Sequence, residues 1–220
     1  VSQTETAHLA HHFDSLEQQK ESATLGMWFF LVQEVMFFGG LFMTYLLYRS
    51  RYPMDFAAGS HELDVRLGTL NTLVLIASSL TMAMAVRSAQ LSRRKPLIRY
   101  LIGTGILGFT FLVIKYFEYS AKWHHHLVPG PHYHFPLASG GHTEMFFSLY
   151  FAMTGMHALH MIVGIGLLTW ILTGAVKGKY DGSYYNPVEN FGLYWHFVDI
   201  IWIFLFPLLY LIGRHYHGGA

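Results

Sequence analysis

The 220-residue sequence predicts an all-α fold, a polytopic membrane bundle of five transmembrane helices. Three observations carry this. Only 12% of residues are charged and 53% are hydrophobic, whereas soluble domains are about a quarter charged. Several apolar runs reach the roughly 20 residues that a helix needs to cross a hydrocarbon core of about 30 Å. Alternation in segments of about ten residues, the mark of a membrane barrel, is absent, and helices satisfy their own backbone groups in lipid.

Residues 1–23 are polar and lack the apolar core of a secretory signal, so they are expected to form a cytoplasmic segment. The first span, about Thr24–Tyr48, holds the run LGMWFFLVQEVMFFGGLFMTYLLY. Pro53 and Gly59 then read as loop breakers before a second span, about Leu67–Val86. The basic turn Arg93-Arg94-Lys95 leads to Pro96, well placed to start a third span, about Ile98–Tyr119. Pro129, Gly130, Pro131, Pro136, Gly140 and Gly141 mark a third loop. The fourth span, about Thr143–Thr173, is long enough to tilt or to extend past the bilayer. Gly178, Gly182 and Pro187 precede a fifth, about Phe191–Ile212. The spans make one domain over 24–214, followed by a short tail, 215–220.

Charge orients the bundle. Lys20, Arg87, Arg93, Arg94, Lys95, Lys177 and Lys179 fall on one side, and Arg49, Arg51, Lys122 and Arg214 on the other, seven against four. The richer side is expected to be cytoplasmic, which puts the N-terminus inside and the C-terminus and tail in the periplasm. A net charge of +1 makes no case for nucleic acid. The absence of cysteine excludes disulfides, iron–sulfur clusters and thiolate metal sites. Small or polar stripes suit close helix packing: Gly68, Thr72, Leu75 and Ser79 with Asn71 and Ser78 beside them, and Gly155, Leu159, Ile162 and Gly166. Gly103-Thr104-Gly105-Ile106-Leu107-Gly108 spells a dinucleotide fingerprint, but it lies inside an apolar span with no strand before it, so it reads as packing.

Glu34 is the most informative residue. A carboxylate inside an apolar span costs roughly 2.5 kcal/mol or more, so the acid must be partnered, protonated or used. One reading is a protonated Glu bonded to a neighbouring span or a lipid headgroup; the other is proton transfer or ion binding. Glu118 closes the third span with Lys115 three residues before and Lys122 four after, both spacings that allow an ion pair near the interface with snorkelling lysines. His157 and His160 lie one turn apart on the fourth span, and His196 and Asp199 one turn apart on the fifth. Three histidines and a carboxylate can ligate a metal or haem, but the pattern is unspecific and fits a polar network joining helices better. The third loop holds His124, His125, His126, His132, His134 and His142, a candidate metal-binding cluster or a solvated cap that meets a partner. No catalytic constellation is visible.

These residues also carry a resemblance. The segment Tyr194-Trp195-His196-Phe197-Val198-Asp199-Ile200-Ile201-Trp202-Ile203-Phe204-Leu205 closely resembles the final helix of subunit III of haem–copper oxidases of the cytochrome c oxidase type. Thr154-Gly155-Met156-His157-Ala158-Leu159-His160-Met161-Ile162-Val163-Gly164 looks like that family's preceding helix. Leu70-Asn71-Thr72-Leu73-Val74-Leu75-Ile76-Ala77-Ser78-Ser79, Glu34-Val35-Met36-Phe37-Phe38 and Glu118-Tyr119 match three further blocks, in order. The chain is similar to the five-helix bacterial form, which lacks the first two of seven helices.

The resemblance implies a non-redox subunit of a proton-pumping terminal oxidase in the bacterial inner membrane. It would pack on the haem- and copper-bearing subunit I, with subunit II and a small subunit IV as further partners, within a larger respiratory assembly. It implies no cofactor in this chain, bound structural phospholipid, and a role in sustaining proton uptake and turnover. Glu34 matches the family's carbodiimide-reactive glutamate. Glu118, His157, His160, Trp195, His196, Asp199 and Asn71 match interior polar or lipid-site positions. In the longer form the two extra helices complete a lipid-filled cleft, which here another subunit or lipid must close. The His-rich loop is not a general family feature. Other readings are an accessory subunit of a quinol oxidase or nitric oxide reductase, an autonomous haem-binding protein built on His157, His160 and His196, and an ion-coupled transporter built on Glu34, although the paired halves and broken helices of many transporters are missing.

Overall fold

The structure, a computed structural model, describes residues 11–131, 133–135 and 141–211. Among these, five helices are long and apolar enough to cross a membrane. Helix α1, Leu16–Arg51, has 36 residues. It starts earlier than Thr24 because the polar segment ahead of the apolar run is itself rich in good helix formers, Leu16, Glu17, Gln18, Gln19 and Lys20. The Ser15 hydroxyl caps it by accepting from the Gln18 amide at 3.1 Å. Polarity ends a membrane span; it does not end a helix.

The first loop is itself helical. Helix α2, Pro53–His61, begins at the proline read as a breaker, since proline at the first helical position gives up only an amide that has no partner there. Its Phe56 is buried, edge-on to Tyr45 and Phe146 at 5.3 and 5.6 Å between ring centres. Helix α3, Val65–Gln90, is capped by Asp64, whose Oδ1 accepts from the Arg66 amide at 2.8 Å. Helices α4, Arg94–His124, and α5, Thr143–Val176, follow. Helix α6, Asn186–Phe206, starts before Phe191 with Pro187 in its first turn. A π-helical turn, Pro207–Leu211, continues it. The freed carbonyls there find side chains: Tyr45 donates to the Leu208 oxygen at 3.0 Å and Ser60 to the Leu209 oxygen at 2.8 Å. Ile212, Arg214 and the 215–220 tail lie outside the described residues.

Helix α6 is the hub. Half of its apolar window is buried, against 17% for α1. Its Trp195 is fully buried between two glycines of neighbouring helices. A Cβ on Gly108 of α4 would come within 2.8 Å of the indole, and one on Gly164 of α5 within 3.0 Å. The indole nitrogen donates to Ser78 of α3 at 2.9 Å, so one side chain joins four helices. Gly105 likewise abuts Leu168, which gives the Gly103–Gly108 stretch the packing role that its apolar setting suggests.

The expected packing stripe on the fourth span is a correction. Leu159 and Ile162 are 50% and 57% exposed, and nothing lies within 4 Å of a Cβ built on Gly166. The stripe that packs is Met153, His157, Met161, Gly164 and Leu168. Both stripes recur at helical spacing, and the neighbours' bulk chooses between them: Trp195 needs Gly164. On α3 the buried line runs through Asn71, Leu75, Ser78 and Met82, with Thr72 and Ser79 at its edge.

Candidate functional site in the membrane

Glu34 sits eighteen residues into α1 (34 − 16) and is 8% exposed. Its Oε2 lies 3.1 Å from Nε2 of His160 on α5. The other ring nitrogen, Nδ1, is 2.8 Å from the Met156 carbonyl one turn back. A carbonyl can only accept, so Nδ1 carries a hydrogen in this bond. Nε2 and Glu34 must then hold one proton between them, either as a carboxylic acid facing a neutral imidazole or as a carboxylate facing an imidazolium. Both forms are neutral overall, which suits a low-dielectric setting.

Aromatic rings hold the pair. Phe38 is one turn from Glu34 and packs on the His160 ring at 5.4 Å. Tyr194 of α6 lies nearly parallel to that ring at 6.5 Å and donates its hydroxyl to the His160 carbonyl at 2.8 Å. The pair adjoins a lateral apolar groove of about 520 Å³ between α1, α5 and α6. Phe30, Leu167, Trp170 and Phe191 line it, and His160 and Tyr194 contribute its polar edge.

Glu118 belongs to a second site, where the ion pair that its spacing allows forms with Lys115, but buried where snorkelling lysines were expected. Lys115 and Glu118 are 4% and 3% exposed, so neither snorkels. Their 2.9 Å bond is enclosed by Tyr150 of α5 and Tyr210 of the π-turn. Tyr150 and Tyr210 donate to Glu118 Oε1 at 2.9 and 2.5 Å, and Lys115 donates to the Tyr210 oxygen at 2.8 Å. Lys115 also lies 4.6 Å from the Trp202 ring centre, where the π face attracts a cation. Lys122 turns away and donates to the Glu62 carbonyl at 2.9 Å. The tyrosines were not singled out from sequence, although a phenol in an apolar span must find a hydrogen-bond partner.

The three intramembrane histidines do not converge. His160 bonds Glu34, while His196 Nδ1 is 2.7 Å from the Ser79 hydroxyl. His157 is fully buried between Phe111 and Trp202, each 5.3 Å away, and neither ring nitrogen has a hydrogen bond. Asn71 is also buried with its side-chain polar atoms unpartnered, and Asp199 is buried with the Ser79 hydroxyl facing its carboxyl but no well-formed hydrogen bond to it. Thr72, next to Asn71, accepts from the Trp202 indole at 3.1 Å.

Among the described residues, no three His, Asp or Glu side chains gather in a metal-binding arrangement. His124, His125, His126 and His134 are exposed around the end of α4. His142 stacks on Tyr52 at 3.8 Å and meets Asp55 at 3.4 Å. His132 lies outside the described residues.

Residues 3–214 match the family described as cytochrome c oxidase subunit III. The chain is 31% identical over 202 residues to cytochrome c oxidase subunit 3 of Thermostichus vulcanus, covering 91% of this chain and 92% of that protein. It is 29% identical to a probable quinol oxidase subunit 3 of Staphylococcus epidermidis, over 96% of this chain and all of that one. It is 30% identical to part of the heme-copper oxidase subunit I+III of Aeropyrum pernix, over 88% of this chain and 23% of that protein.

Proposed function

We propose that this chain, which belongs to the cytochrome c oxidase subunit III family, serves as a non-redox subunit of a proton-pumping oxidase. It packs on subunit I, which holds the haem and copper, alongside subunit II and a small subunit IV. It lies in a bacterial inner membrane with its N-terminus cytoplasmic. It binds phospholipid and sustains proton uptake and durable turnover without carrying a redox centre. Cytochrome c is the donor on this reading.

The Glu34–His160 pair beside the apolar groove carries the reading. The groove suits acyl chains, since its walls are almost wholly hydrocarbon and aromatic. A pair that stays neutral while its proton changes sides can sit against lipid without exposing net charge. The likeness to the Staphylococcus epidermidis protein favours a second reading, in which the same subunit serves a quinol oxidase.

Deleting the chain tests the role. The catalytic subunit should keep its haem spectrum and initial turnover, and then lose activity over successive turnovers faster than the complete enzyme. Loss of the haem spectrum on deletion would instead make this chain part of the redox centre. Equal durability with and without it would remove the protective role.

A further inference from the structure

A second lateral groove, about 370 Å³, separates α3 from α6. Its rim is apolar and open, with Ile76, Leu80, Ile200 and Ile203 between 45% and 64% exposed. Its floor is not apolar. Ser79, His196 and Asp199 all line it. Ser79 Oγ and His196 Nδ1 bond each other at 2.7 Å, which leaves the half-buried imidazole's Nε2 without a partner in the chain. Asp199 is 2% exposed; the Ser79 hydroxyl that bonds His196 also faces its carboxyl, and neither carboxyl oxygen has a well-formed hydrogen bond.

We propose that this groove seats a transmembrane helix of another subunit, one carrying a polar side chain that hydrogen-bonds into the Ser79–His196–Asp199 cluster. The depth of the cluster selects that occupant. Asp199 is thirteen residues from Asn186 (199 − 186) and twelve from Leu211 (211 − 199). Ser79 is fourteen residues from Val65 (79 − 65) and eleven from Gln90 (90 − 79). At roughly 1.5 Å per residue, both lie about 16–21 Å from either end of their helices. Lipid offers only acyl chain at that depth, with no donor for Asp199 and no partner for His196. Polar groups at mid-bilayer pair with other protein groups, and helices associate there through such bonds. The proposal rests on the reading that the chain is one subunit of an oxidase. The Glu34 groove differs in that its acid and imidazole already satisfy each other.

A photo-cross-linking amino acid at Leu80 or Ile203, in the complex purified from native membranes, tests this. The expected result is an adduct with a peptide of another integral subunit, with haem co-purifying. Combining Ser79→Ala with His196→Phe is expected to lower the amount of chain retained with haem in mild detergent about three- to ten-fold, the worth of one or two intramembrane hydrogen bonds. Adducts with phospholipid alone while haem still co-purifies would overturn the proposal. So would a protein adduct with retention unchanged in the double variant, because the seat would then be apolar only. A purified chain that brings no haem would bring down the oxidase reading and the proposal with it.

Discussion

Glu34 Oε2 and His160 Nε2 stand 3.1 Å apart, and the bond from His160 Nδ1 to the Met156 carbonyl leaves one proton for the two of them. An acid and a base from two different spans thus form one neutral unit beside an apolar groove. Glu34→Gln should preserve it as structure, since the amide can donate to Nε2 of a neutral imidazole. We expect normal insertion, a stability change within about 1 kcal/mol, and complete loss of labelling by a hydrophobic carbodiimide, which attacks carboxyl groups. Equal labelling of the variant would show that another acid is the reactive one.

Removing the base is expected to act differently. His160→Leu leaves the Glu34 carboxyl without its partner, so thermal stability of the purified complex should fall by about 1–3 kcal/mol. Carbodiimide labelling should persist, because the carboxyl group that reacts is still present. Abolished labelling would mean that the imidazole itself is needed to present the acid.

Lys115 and Glu118 form the one buried Lys–Glu bridge among the described residues. Lys115→Met alone leaves a carboxylate enclosed with two phenols, and Glu118→Gln alone leaves an ammonium facing rings. Each should cost about 3–5 kcal/mol, and the double variant clearly less than the sum. Additive losses in thermal denaturation would show that the two charges act independently.

Gly164→Ala should destabilise the subunit by about 1–3 kcal/mol, since its Cβ would press on Trp195 at 3.0 Å. Gly166→Ala, two residues on, meets nothing within 4 Å and should be neutral or slightly stabilising. Equal effects in a denaturation assay would remove Trp195 from its place between the two glycines.

The five spans and Glu34 were legible because apolar length and an isolated charge are properties of a single segment. What was hidden depends on how segments face one another. His160 reads as one of several polar-network residues with a metal ligand as the lesser alternative, because spacing along α5 does not say that its ring turns toward α1. Lys115 read as snorkelling, because a lysine near the end of a span does so unless another element covers it, and here the π-turn brings Tyr210 over it. The outward stripe on α5 and the inward one have the same spacing, and only the position of Trp195 separates them. Helix α2 reads as a loop in the sequence because nine residues starting at a proline carry too little periodicity to reveal a helix.

The most direct measurement is purification of the tagged chain from native membranes in mild detergent, with reduced-minus-oxidised spectra and peptide mass spectrometry on the product. Haem absorbance accompanied by a large multi-span subunit, and none from this chain once separated, is expected of a non-redox subunit III. Haem absorbance from the separated chain would contradict that and return His157, His160 and His196 to the role of ligands.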